Sequence, residues 1–121
     1  MPEKETVVNF GSIGFYLKDD QTCKFMLKGE MDHHSVKEMR EIIDSKIIDY
    51  RPMEVELDLS EVTFTDSAGL GLVLGRYTRI SSYGGKLKVT HVPHPFMKIL
   101  RLSGVERFIQ IEANKNKDFS A

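Results

Sequence analysis

Two short stretches hold the residue types that most often do chemistry: Asp32-His33-His34 and Thr65-Asp66-Ser67-Ala68-Gly69. A carboxylate beside two imidazoles suggests metal ligation or acid–base work. Successive helical residues point about 100° apart, however, and metal-binding helical pairs sit at i and i+4. His33 and His34 are therefore poorly spaced to chelate one ion, and Asp32 reads as the N-cap of a helix starting at His33. His91 and His94 lie far along the chain, and spacing alone does not bring them here. The second stretch puts a serine where a strand gives way to a helix. A nucleophile elbow needs glycine two residues before and two after the serine. Gly69 fits, but Thr65 occupies the other place. A hydrolase triad is not indicated, and either Asp66 or Ser67 can cap the helix, a contribution of about 1 kcal/mol.

Gly69-Leu70-Gly71-Leu72-Val73-Leu74-Gly75 has a partial likeness to the dinucleotide fingerprint. Its third glycine is one residue late, and its first lies inside the expected helix rather than in a turn after a strand. No lysine follows to close a phosphate-binding loop. Packing is the simpler expectation: Gly71 and Gly75, four apart, would let one side of the helix approach its neighbours. No metal and no cofactor is expected.

The elements that must position these residues alternate along the chain. Ile13 to Leu17 and Thr22 to Lys28 read as strands joined by the polar turn Lys18-Asp19-Asp20-Gln21, with Gly29 as a break. Cys23, Phe25 and Leu27 alternate with Lys24, Met26 and Lys28, so one face is buried. In the helix after Asp32, the residues Val36, Met39, Ile43 and Ile47 share a face, and Arg51-Pro52 ends it. Val55 to Leu59 alternates again. A second helix is expected from Ser67 to about Ser82, with Leu70, Val73, Leu74, Tyr77 and Ile80 inward and Tyr83-Gly84-Gly85 as its stop. Lys86 to His91 is a strand, Pro95 suits the first turn of a third helix through Leu102, and Arg107 to Ile111 is a last strand. The order implies an α/β fold: a small mixed, largely parallel sheet with an N-terminal hairpin and helices packed on it. One domain over 13–111 is expected, flanked by an extension, 1–12, and a polar tail, 112–121.

Composition narrows the classes without choosing a function. The 121 residues, 40% hydrophobic and 29% charged, suit one globular core. Cys23 is the single cysteine, which excludes an internal disulfide and suits a reducing cytoplasm. Met1 to Thr6 lacks the basic-then-apolar order of a signal peptide. No apolar run approaches the ~20 residues that cross a bilayer. A net charge of −1 gives no overall attraction to nucleic acid or anionic membrane.

Gly29-Glu30-Met31-Asp32-His33-His34-Ser35, taken with Val62-Thr63-Phe64-Thr65-Asp66-Ser67-Ala68-Gly69-Leu70-Gly71 and on to Gly75-Arg76-Tyr77, resembles the anti-sigma factor antagonists. These are stand-alone members of the sulphate-transporter and anti-sigma-antagonist, or STAS, domain family. The resemblance runs from about Ile13 to Ile111 and implies the same α/β fold. It further implies a regulatory module rather than an enzyme. An anti-sigma factor that is also a serine kinase would phosphorylate Ser67, and a serine phosphatase would reverse the modification. Asp32, Asp66, Ser67, Leu70 and Gly71 would form the partner-binding edge. A scaffold in another partner-switching pathway, or a nucleotide-binding protein, are the competing readings.

Overall fold

The computed structural model describes residues 7–114. The elements are β1 (Val8–Phe10), β2 (Ile13–Leu17), β3 (Thr22–Met31), α1 (Val36–Tyr50), β4 (Glu54–Thr65), α2 (Ala68–Ser81), β5 (Lys86–Val92), α3 (His94–Ser103) and β6 (Gln110–Ala113). The sheet order is sequential, β1 to β6. The first three strands pair antiparallel and the rest parallel. Right-handed crossovers that all step in one direction place α1, α2 and α3 on one face of the sheet. The mixed sheet with its N-terminal hairpin and packed helices is thus the architecture expected above.

Cross-strand rows show how alternation builds the core. Phe25, Leu57 and Val89 stand side by side on β3, β4 and β5, and all are fully buried. Met39, Ile43 and Ile47 of α1, Val73 and Ile80 of α2, and Phe96 and Leu100 of α3 close over them. Each such side chain contributes roughly 1.5–3 kcal/mol by leaving water. Cys23 lies in this core, where burial pushes its thiol up to about 12. The next row, Lys24, Glu56 and Lys88, faces away from the helices.

Several boundaries differ from the sequence expectation, each for a local reason. β1 lies within the segment read as an extension, where Val8, Asn9 and Phe10 pair with Phe15, Gly14 and Ile13. Gly29 does not end β3. Its φ of +82° lies between two register shifts, at each of which β4 carries the extra residue, and β3 continues to Met31. β4 runs six residues beyond Leu59, because Glu61, Val62, Phe64 and Thr65 keep pairing with β3. A 3-10 turn at Val105–Arg107 takes up the residues before β6, so that strand starts at Gln110 rather than Arg107.

A buried ion pair spans α1 and α2. Arg76 is buried on α2, and its Nη2 donates to Asp44 Oδ2 at 3.2 Å. Its Nε sits 2.7 Å from Asp44 Oδ1 but is poorly aligned for a bond, so that contact is Coulombic. Arg76 Nη1 also donates to the Leu72 carbonyl.

The glycines of α2 divide differently from the packing expectation. A Cβ at Gly69 would stand 2.8 Å from Met31 Cε and 3.0 Å from the Phe96 ring, whereas one at Gly71 or Gly75 would meet nothing within 4 Å. Gly69, not Gly71 or Gly75, is the close-approach residue. Gly69→Ala should therefore destabilise by about 1–3 kcal/mol through overpacking. Gly75→Ala should stabilise by roughly 0.5–1 kcal/mol through helix propensity. Thermal melts of the two variants should move in opposite directions.

Candidate functional site

The parallel pairing of β3 and β4 ends with Met31 opposite Thr65. The two loops leaving those strands, which begin at Asp32 and Asp66, therefore start side by side. The Asp66 N–H reaches the Met31 carbonyl at 3.4 Å and ties the loops together. Strand pairing, not sequence proximity, puts the loops that carry Asp32 and Ser67 at the same end of the sheet.

Asp32 opens the turn before α1. Its Oδ1 accepts the Ser35 N–H at 2.8 Å, and its carbonyl accepts the Val36 N–H at 3.0 Å. The bond from the Ser35 N–H holds the Asp32 carboxyl below its ordinary value. The expected capping role is present, but His33 to Ser35 form a turn and the regular helix begins at Val36. His33 and His34 are exposed on that turn.

At α2 the cap belongs to Asp66. Its Oδ1 accepts the Ala68 N–H at 2.8 Å and its carbonyl accepts the Gly69 N–H at 3.0 Å. Ser67 is exposed, has helical backbone angles, and makes no side-chain cap bond. The Leu70 N–H is taken by the Ser67 carbonyl. Three N–H groups of the first turn are thus satisfied before any anion arrives, so a group added to the Ser67 Oγ would project into solvent.

Leu70 and Gly71 follow Ser67 by three and four residues and share its side of the helix. Leu70 is half-buried against the core, and Gly71 is exposed. Phe64 was not among the residues singled out from sequence, yet its ring is 51% exposed three residues before Ser67. Its signal was an apolar residue in the second half of β4, where Val62-Thr63-Phe64 follows the exposed Ser60 and Glu61. The Gly69–Gly75 run lies within α2, so it lacks the strand-to-helix loop that a dinucleotide site needs.

A second polar cluster occupies the sheet face away from the helices. Ligand atoms of Glu56, Asp58 and His91 lie within 4.8 Å of one another. Their charge is already matched: Lys24 Nζ lies 3.3 Å from Asp58 and 3.8 Å from Glu56, and Thr90 Oγ1 donates to Glu56 at 2.6 Å. An ammonium stands where a cation would, so the cluster reads as an internal charge network. Burial works against the Asp58 charge, but the Ser60 N–H, His91 and Lys24 outweigh it and hold the carboxyl below its ordinary value. A carboxylate so depressed contributes stability above its unfolded value of about 3.9, which is lost as pH falls through the folded one. Stability should therefore drop as pH falls below about 4, with a shallower drop in Asp58→Asn, as measured by denaturant midpoints between about pH 3 and pH 6.

A family model described as Mlab, STAS domain, matches residues 16–111. The chain belongs to the STAS domain family. Among relatives of this STAS domain, the anti-sigma F factor antagonist of Paenibacillus polymyxa is 36% identical over 89 residues, 74% of this chain and 76% of that one. The anti-sigma-B factor antagonist of Bacillus subtilis (strain 168) is 27% identical over 98 residues, 79% of this chain and 86% of that one. The anti-sigma factor antagonist SpoIIAA in its unphosphorylated form shares the fold at a TM-score of 0.71 and 24% identity, covering 86% of this chain and 90% of that one. No described helix of this STAS domain is long and apolar enough to cross a membrane.

Proposed function

We propose that this STAS domain is an anti-sigma factor antagonist, a cytoplasmic regulator that works by binding rather than by catalysis. In the unphosphorylated form it binds an anti-sigma factor that is a serine kinase, and the sigma factor is released. The kinase then transfers phosphate to Ser67 Oγ and the complex is lost. A serine phosphatase acting on phospho-Ser67 restores the binding form. The observation that carries this reading is Ser67 itself: an exposed hydroxyl at a helix start, relieved of the capping role by Asp66. Relatives named as anti-sigma F and anti-sigma-B factor antagonists both support the class, and the higher identity favours the sigma F type.

Incubation with the cognate kinase and ATP, followed by mass spectrometry, should show one added phosphate that is absent from Ser67→Ala. Phosphate on another residue with Ser67 unmodified would contradict the reading.

Asp32, Asp66, Leu70 and Gly71 complete the proposed partner edge. Asn caps a turn about as well as Asp, so Asp32→Asn should leave the melting temperature nearly unchanged. Kinase binding should weaken, because a carboxylate of the proposed partner edge is gone. Unchanged affinity in a calorimetric titration would remove Asp32 from the edge.

A further inference from the structure

The two central parallel strands separate before they end. The β4–β5 register stops at Asp58 opposite Thr90, yet β4 continues to Thr65 with only β3 beside it among the described residues. His91 marks the cause on the other strand. Its φ of +53° is a left-handed conformation, uncommon outside glycine, and it turns β5 away from β4. His91 Nδ1 lies 3.2 Å from Asp58 Oδ1 at the point of divergence. Beyond it, Val92 pairs with Ala113 of β6, and the Val92 carbonyl accepts the Asn114 N–H.

The separation opens a cleft of about 650 Å³ whose lining includes Ser60, Glu61, Val62, Thr63, His94 and Asn114. Along one wall runs the unpaired edge of β4. The Ser60 N–H donates to Asp58 Oδ1 on the same strand, but Glu61 to Phe64 make no main-chain bond outside the strand pairing among the described residues. β3 takes up Glu61, Val62, Phe64 and Thr65 and passes over Thr63, so the peptide groups of this stretch that do not point to β3 face the cleft without a partner strand among the described residues. The cleft is continuous with the proposed partner edge, since β4 leads directly through Thr65 into Asp66 and Ser67.

We infer that the β4 edge from Ser60 to Thr65 is a docking site for an extended segment of the partner kinase, which adds to the sheet as a strand beside Ser67. The inference rests on the proposed function and deepens it. Main-chain pairing would hold the kinase in register, while the Ser67 Oγ, two residues beyond the edge, senses modification. This separates anchoring from switching, because strand addition draws affinity from backbone groups that phosphorylation does not alter.

Amide exchange, read by NMR on the full chain with and without the nucleotide-loaded kinase, tests the assignment. In the complex, those amides between Glu61 and Phe64 that exchange freely in the unbound protein should slow at least tenfold, while those already protected by pairing with β3 stay as they were. Slowing confined to Ser67–Gly71 would leave the proposed function standing and overturn the strand addition. Absence of any complex would overturn both. The same slowing on raising protein concentration without kinase would assign the edge to a second copy of this chain and refute the proposal. A labelling experiment gives an independent check. Cys23 is fully buried, so a bulky maleimide should attach to Thr63→Cys alone. The adduct should weaken kinase binding tenfold or more relative to unlabelled Thr63→Cys, and equal affinities would again overturn the proposal.

Discussion

Asp44→Ala should lower the melting temperature by on the order of 10–25 °C, the largest loss expected from any single change outside the apolar core. Arg76 is 5% exposed and sits between two helices. Burial already penalises its guanidinium, and Asp44 is the opposite charge that offsets the penalty. Removing that carboxylate leaves a buried cation with only the Leu72 carbonyl, at 3.3 Å, as a bonded partner. Breaking a buried pair in this way costs about 3–5 kcal/mol, far more than the 0–1 kcal/mol of a surface bridge such as Lys37–Glu41. Lys37→Ala is therefore the matched control and should move the melt by little. Replacing Asp44 and Arg76 together with leucine and methionine should recover most of the loss, because the pair's own net contribution is small once both charges are gone. Thermal melts of the three variants measure all of this. Equal melts for Asp44→Ala and Lys37→Ala would show that the guanidinium finds water or another carboxylate.

Phosphorylation of Ser67 should produce the largest effect on binding, a weakening of two to three decades. A phosphoserine carries about −1.5 to −2 charge at neutral pH and three acceptor oxygens. The first-turn N–H groups that could have absorbed that charge are occupied by Asp66 and by the Ser67 carbonyl. The dianion is therefore presented outward, beside the Asp66 carboxylate. A partner surface docked on Ser67 then meets steric exclusion, desolvation and repulsion of its own acids, together on the order of 3–4 kcal/mol, at about 1.4 kcal/mol per decade. Ser67→Asp carries half the charge and less bulk, so its binding should fall between the wild-type and phosphorylated forms. Ser67→Ala should bind like the wild type and resist inactivation. Because the Ser67 hydroxyl makes no cap bond, Ser67→Ala should also keep the wild-type melting temperature, without the ~1 kcal/mol that a capping serine would lose. That last point reverses what the sequence implies, where Asp66 and Ser67 are equal candidates for the cap.

The apolar faces of β3, β4 and α1 were legible because one-sided burial leaves a periodic trace. Cys23, Phe25 and Leu27 recur at every second residue, Leu57 stands between Glu56 and Asp58, Met39, Ile43 and Ile47 recur at helical spacing, and all of these but Glu56 and Asp58 lie in the apolar core. Helix α2, in contrast, buries Leu72 and Arg76, which were not expected inward, and leaves Leu70, Leu74 and Tyr77 only partly buried. What escaped was set by tertiary pairing. Glu56 and Asp58 look like solvent-facing strand residues, but Lys24, Thr90 and His91 gather around them and both are buried. Gly29 carries the local signature of a strand end, and only the partner β4 shows that it is a bulge within a longer strand. For the same reason the neighbourhood of Asp32 and Ser67 came from motif resemblance rather than from periodicity. Nothing local to either loop records that Met31 pairs with Thr65.

Calorimetric titration of the nucleotide-loaded kinase with unphosphorylated and phosphorylated protein, each form also melted alone, tests the switch most directly. The account predicts dissociation constants at least a hundredfold apart and melting temperatures within a few degrees of each other. Equal affinities for the two forms would contradict it, and so would a phosphorylated protein that binds weakly only because it has unfolded.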